Sequence, residues 1–494
     1  MSPTRFRHIS LVVCAAWFVF IYPLLNFFAW EILPETARSN SGDFGQYYSG
    51  AIALQEGLAD TLYPDPDPEI YDRPPDFRPR LTTPLFDQKQ DDDRAGNWAY
   101  YPQVASPSAS KVSDRLVKKA PQIQGEYRFI YPPPLVILLA PLGLFEYDFA
   151  LRAVWFPLMC FSLFGISWFS AKICRALYGR ESYVEGVSIL LPMIPTLLAS
   201  ELGTSLCVGN VTPLLGLFIT LVAYAFLSNR QIALGLGIIP LILFKGMGVL
   251  WCPLLLIGKI KWKALFLMAF LTILLNGLTI YLGGTGLYRV FFSEMLPKAS
   301  LPLGIGAPGI MMDFLGVEFG SLWLILRGIL ALGVYFYCWK ALRNGHGQGL
   351  VSLNGLIALI ASFNLLNNIV WPHYVTCYLV LPFSAWIIRE VSLLQGRSRL
   401  LLVSVLLSFV ICWFDAVAVT KGSMLVGFLE QARLYSSSID TVRKVISGLS
   451  FYVISNAVNC TFLFLAIQRL RLLGCRVSVD AVSITPKRDL PVSA

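Results

Sequence analysis

Charge is what this chain has little of. Asp, Glu, Lys and Arg make up 14% of its 494 residues, not far above half the ~25% of ordinary soluble proteins. There are three histidines and ten cysteines, with no CxxC and no ligand-like Cys/His spacing, so nothing points to a zinc module or a redox pair. No P-loop or Gly-rich nucleotide cradle occurs either. What fills the chain is apolar: 56% hydrophobic, and about 64% once its 38 glycines are added, against roughly 45–50% in soluble domains. That balance excludes a soluble enzyme, a disordered chain and a collagen-like fibre. Within hydrocarbon only helices and closed barrels satisfy their own backbone groups, and these apolar runs are too long for barrel strands. An all-α polytopic integral membrane protein is expected.

The net charge of +9 would suit nucleic acid if it were concentrated, but it is not. Residues 31–130 hold 16 of the 30 acidic side chains and 11 of the 39 basic ones, so this stretch is acidic and the excess of Lys and Arg lies elsewhere. That excess falls in short loops between apolar segments, the pattern of a cytoplasmic membrane face and not of a nucleic-acid stripe. The cysteines lie almost entirely in the apolar runs, as Cys14, Cys160, Cys338 and Cys412 do, and read as small buried hydrophobes.

Arg5 and Arg7 precede an apolar run that ends at Trp30, with no A-x-A cleavage pattern after it, so residues 1–30 are expected to hold an uncleaved first transmembrane helix. Further spans are expected near 151–171, 186–203, 212–228, 231–258, 262–283, 320–340, 350–370, 374–389, 400–419 and 447–468. Arg5 and Arg7, Lys172 to Arg180, Lys340 and Arg343, Arg389 to Arg399, and Arg469 to Arg476 then share one side, the cytoplasmic one. The scheme requires 231–258 to be two half-length helices, because Arg230 and Lys259, Lys261 and Lys263 must lie on the same face. The break is expected at Lys245-Gly246. The result is a bundle of about 11–12 helices with both termini cytoplasmic, a membrane domain over 132–470 and a tail at 471–494.

Residues 31–131 become a large first extracytoplasmic loop. Within it, 44–57 place Phe44, Tyr47, Tyr48, Ala51 and Leu54 at helical spacing behind the cap candidates Ser41 and Asp43, predicting an amphipathic helix on the membrane surface. Residues 64–122 contain ten prolines and runs such as PDPDPE, and read as an irregular insert. Residues 132–145 are apolar but too few to span, which suits an interfacial or re-entrant helix.

Asp43 is the first candidate for chemistry. A carboxylate held near the bilayer by aromatic neighbours can act as general base towards a hydroxyl at the surface; equally, an Asp at that place can simply cap the helix behind it. Four ionisable residues lie inside apolar runs: Lys245, Arg327, His373 and Asp415. Each falls in the outer third of the proposed bilayer. Such residues cost ~2.5–3.5 kcal/mol on insertion scales and normally face a cavity or a partner. A cationic pocket there suits a lipid phosphate, while a structural Arg327–Asp415 pair and snorkelling of Lys245 and His373 are the plainer readings. Glu31, Glu35 and Glu201 are reserve candidates for the base.

Four blocks in order carry a resemblance: Asp43-Phe44 with Tyr47 and Tyr48; Phe129-Ile130-Tyr131-Pro132-Pro133 before Ala140-Pro141-Leu142; Gly209-Asn210-Val211-Thr212-Pro213-Leu214; and Trp371-Pro372-His373-Tyr374. Together, over about residues 40–390, they resemble glycosyltransferase family 87 of the GT-C superfamily, similar to polyprenyl-phosphate-mannose-dependent α-mannosyltransferases. The resemblance implies inverting transfer of a hexose, mannose first, from a polyprenyl-phosphate donor to an acceptor hydroxyl outside the membrane. It maps the family's acidic residue to Asp43 and its loop histidine to His373. Tyr47, Tyr48, Tyr131, Asn210, Lys245 and Arg327 complete the expected substrate-binding set.

Two other classes remain open on sequence. A transporter or lipid flippase would use intramembrane charges and a broken helix equally naturally, though no repeat halves are evident. A polysaccharide ligase or polymerase would share the membrane and take a lipid diphosphate donor. Expected partners are membrane lipid, the lipid-linked sugar and a glycolipid or glycan acceptor, without nucleic acid. No cofactor is called for beyond the donor, a divalent metal is left open, and the location expected is a bacterial plasma membrane with the active site facing outside.

Overall fold

The computed structural model describes residues 1–26, 42–57, 131–179, 182–197, 209–292, 322–367, 372–415 and 437–475, with 202, 206, 303–304, 307–308 and 369–370. The insert 64–122, Glu31, Glu35, Glu201, Trp371, the side chain of Asp415 and the tail beyond 475 lie outside the described residues. Regular structure among the described residues is helical, apart from a two-residue parallel bridge between Leu303–Gly304 and Ile369–Val370. Six helices there are long and apolar enough to cross a membrane: Pro3–Asn26, Tyr147–Tyr178, Trp262–Gly283, Leu322–Arg343, Gln348–Leu366 and Val453–Gly474. Tyr183–Leu197, Thr212–Leu227 and Gln231–Lys245 are apolar but shorter. The polytopic helical bundle read from composition is therefore present.

Gln348–Leu366 is the axis of the bundle. Every residue from Val351 to Asn364 is buried, polar Ser352, Asn354, Ser362 and Asn364 included. A helix apolar all round belongs inside, and its few amides must find partners across helices. Asn354 Oδ1 accepts from Trp386 Nε1 at 3.2 Å, and Asn364 Nδ2 donates to Asn459 Oδ1 at 3.3 Å. Trp262–Gly283 and Leu322–Arg343, by contrast, leave Phe266, Ile273, Tyr281 and Leu332 exposed, as side chains facing lipid are.

The segment 231–258 breaks at the place the charges require. Helix Gln231–Lys245 ends at Gly246, which adopts φ +65° and donates its N–H to Ile242 O at 3.0 Å, and a 3₁₀ stretch Met247–Leu255 follows. A left-handed terminating residue is most easily supplied by glycine. The two arms return to one place: Lys261 Nζ donates to Asn229 Oδ1, and Lys263 N donates to Gln231 Oε1 at 3.1 Å. Lys245 is thus at the tip of a re-entrant hairpin.

Three elements differ from expectation. The helix of the first outer loop runs Gly42–Gln55, and it is packed within protein, with Phe44, Tyr47, Tyr48, Ala51, Ile52 and Ala53 all buried. A periodicity argument sees one apolar stripe; here glycine, alanine and serine on the other faces allow close approach as well. Residues 374–389 form no continuous helix: a π turn Val375–Val380 and a tight turn before Ser384–Ser392 interrupt it, where Pro382 removes a backbone donor. The helix expected at 447–468 is far longer, Ser437–Gly474. Leu135–Leu139 and the 3₁₀ turn Ala140–Leu144 make the short apolar segment expected before the second long helix.

Candidate functional site

Helix Gly42–Gln55 enters the bundle through aromatic contacts. Phe44 lies against Tyr147 at 5.3 Å and Trp155 at 5.8 Å between ring centroids, and Tyr47 against Trp155 at 5.0 Å and Tyr131 at 5.3 Å. Trp155 closes a π turn, Ala150–Trp155, two residues ahead of Pro157, and its Nε1 donates to Gly209 O at 2.7 Å. Gly209 has φ +72°, and a Cβ there would stand 2.4 Å from Phe44 Cβ. Only glycine lets the loop lie flat on the first turn of the helix.

That close approach brings Asn210 to Asp43. Asn210 Nδ2 donates to Asp43 Oδ2 at 2.7 Å, while Asn210 Oδ1 accepts from Thr212 N at 2.8 Å and from the Thr212 hydroxyl. Asp43 lies inside the first turn of its helix, and its carboxylate accepts a bond from across the fold. Burial raises the Asp43 carboxyl above its usual range, and the charge of Lys245 and the Asn210 bond draw it back.

Lys245 meets this group from the hairpin tip. Its Nζ stands 5.8 Å from the Tyr131 ring centroid and 5.3 Å from that of Tyr374, both within cation–π range. Tyr131 and Tyr47 share a hydroxyl–hydroxyl hydrogen bond of 3.0 Å, and Phe244, beside Lys245 in sequence, lies edge-on to Tyr47. His373 packs its ring at 4.9 Å from Tyr374. Its Nε2 is buried and has no hydrogen-bond partner among the described residues. Asp43, Tyr47, Tyr131, Asn210, Lys245 and His373 therefore occupy one neighbourhood.

Tyr48 and Arg327 make other hydrogen bonds. The Tyr48 hydroxyl donates to Phe145 O at 2.8 Å, bracing the helix to the turn after Leu144. Arg327 Nη1 donates to Asn367 Oδ1 at 2.8 Å, at the end of the axial helix and shortly before His373. Tyr374, Thr212 and Trp155 join the site without having been singled out. The first two stood within the blocks already noted, whereas Trp155 looks like any aromatic in an apolar run. Beside the site, Pro132, Pro133, Ile239, Leu243, Leu275 and Phe291 line a cavity of about 180 Å³. No group of three or more His, Cys, Asp or Glu with metal-ligand potential forms among the described residues.

The model of glycosyltransferase family 87 matches residues 129–363, a little under half of the chain. Over that stretch the chain is similar to family 87, and the match supports its classification as a glycosyltransferase. The matched stretch takes in Tyr131, Asn210, Lys245 and Arg327, starts after Asp43 and stops before His373. No curated protein and no solved structure matches the chain. For a glycosyltransferase the transporter and flippase reading falls away, and the cluster around Asp43 becomes the candidate active site.

Proposed function

We propose that the enzyme transfers a hexose, mannose first, from a polyprenyl monophosphate to an acceptor hydroxyl at the extracytoplasmic face, with inversion. The observation that supports this reading is that the Asp43 carboxylate lies within electrostatic reach of the Lys245 ammonium in a membrane helix bundle. The acceptor oxygen attacks the anomeric carbon while the bond from that carbon to the phosphate oxygen breaks on the opposite face. The proton of the hydroxyl passes to Asp43, and the bond pair leaves with the polyprenyl phosphate. Lys245 and the open Nε2 of His373 suit the charge that develops on that phosphate. Tyr47 and Tyr131 offer hydroxyls and ring faces for a sugar.

The apolar cavity supports a lipid donor in particular. It is lined by Pro132, the residue after Tyr131, and by Leu243 of the helix that ends in Lys245, and it borders Trp262–Gly283, which leaves Phe266, Ile273 and Tyr281 exposed. A prenyl chain leaving the site would pass there into lipid. Arg327, bonded to Asn367, fits holding the segment before His373 more readily than holding phosphate.

Membranes containing the enzyme should transfer label from radiolabelled polyprenyl-phosphate-mannose into glycolipid. Transfer from a polyprenyl diphosphate and not from the monophosphate would replace this reading with that of a ligase or polymerase.

A further inference from the structure

The Asn210 amide has two ends with opposite requirements. Oδ1 faces two donors, the N–H and the hydroxyl of Thr212, while Nδ2 faces Asp43 Oδ2 at 2.7 Å. A reversed amide would set its oxygen against a carboxylate and its NH₂ against an N–H, so the network itself fixes which way round Asn210 lies. Asn210 and Thr212 are buried, and Thr212 begins the helix Thr212–Leu227. The loop is pinned on its other side by Trp155 Nε1 on Gly209 O. A rigid donor therefore points at one oxygen of the proposed base and leaves the other without a bond from Asn210.

We infer that Asn210 is a positioning residue, which aims the Asp43 carboxylate and holds it ionised for the acceptor hydroxyl, and that Thr212 sets Asn210 in turn. The inference rests on Asp43 being the base. A donor that favours the charged carboxylate keeps it ready to accept a proton, against the burial that disfavours charge. The charged and titratable groups facing Asp43 are Lys245 from the hairpin tip, Tyr47 on its own helix and Tyr131 from the segment before Leu135. Of these Lys245 alone is cationic, so removal of Asn210 takes away one of the two side chains that favour ionisation among the described residues.

The test is the pH profile of turnover in detergent-solubilised full-length enzyme, with normalisation to folded protein. Asn210→Ala should lower kcat about 10- to 100-fold, the usual range for a bond to a charged group, with donor KM unchanged and the acid limb moved to higher pH. Asn210→Asp keeps the acceptor for Thr212 but sets a second carboxyl against Asp43, so its acid limb should move further in the same direction. An acid limb at the wild-type pH in both variants would overturn the inference, as would a raised KM with the limb in place, which would make Asn210 a substrate contact. Asp43→Asn in the same assay separates the two levels: if it is inactive, an unmoved limb rejects the role of Asn210 alone. If it turns over normally, the assignment of the base fails and this inference with it.

Discussion

Asp43, the proposed base, lies in a setting that raises a carboxyl by burial and then partly restores it through Lys245 and Asn210. A base so placed is stronger than a free carboxylate, and turnover should fall as pH drops through a value above the ordinary Asp range, because protonation removes the base. Asp43→Asn can still accept a hydrogen bond but takes no proton. It should reach normal membrane levels and lose ~10²–10⁴-fold in kcat, measured by product formation at saturating donor; near-native turnover would sink the catalytic role. Lys245 and Arg327 divide in the same assay. Lys245→Ala should raise donor KM, because the ammonium faces the site across Tyr131 and Tyr374. Arg327→Ala should leave donor KM near wild type and lower Tm, since its guanidinium is bonded to Asn367. An isolated basic residue in an apolar run looks the same in sequence whether it meets a ligand or a helix end, so these two could not be told apart before the fold was known. Tyr47 and Tyr48 present the same difficulty. They are neighbours on one helix, and the contacts with Tyr131 and Phe145 separate them.

At the scale of elements, two glycines show how the site is assembled. Gly246 ends the helix Gln231–Lys245 with φ +65° and has nothing within 4 Å of a built Cβ. Gly209 has φ +72° and also touches Phe44. Gly246→Ala should thus cost only the left-handed conformation, roughly 1 kcal/mol. Gly209→Ala adds a clash with helix Gly42–Gln55, for a total of about 2–4 kcal/mol, and should displace Asn210 from Asp43. Thermal unfolding in detergent, with turnover on the same samples, ranks the two; equal losses would mean that the loop is not seated on Phe44. The hairpin was legible because basic residues at both its ends had to share a face, and glycine offered the break. The docking of Gly42–Gln55 was not legible. Its amphipathic spacing fits a membrane surface as well as a protein groove, and the partners that bury it, Tyr147, Trp155 and Gly209, are a hundred or more residues away.

At the scale of the whole molecule, two sets of contacts among the described residues bear on orientation. In one, Asp43, Asn210, Lys245 and His373 meet. In the other, Arg175 pairs with Glu185 at 3.0 Å and Arg7 with the same carboxylate at 3.7 Å, while Tyr183 bonds to Met1 O. Lys172 and Arg230 both lie over the Tyr224 ring, Gln348 donates to Lys259 O, and Asn344 donates to Gly474 O. These contacts link residues flanking the expected cytoplasmic ends in several groups, and none of them involves Asp43, Asn210, Lys245 or His373. This supports one orientation, because short basic loops are retained in the cytoplasm, and it makes a specific expectation for intact cells. Glu56→Cys, exposed just past the helix that carries Asp43, should react with a membrane-impermeant maleimide from outside. His346→Cys and the native exposed Cys475 should react only after the membrane is opened. Labelling of position 346 in intact cells together with protection of position 56 would invert the orientation and place the sugar transfer on the cytoplasmic face.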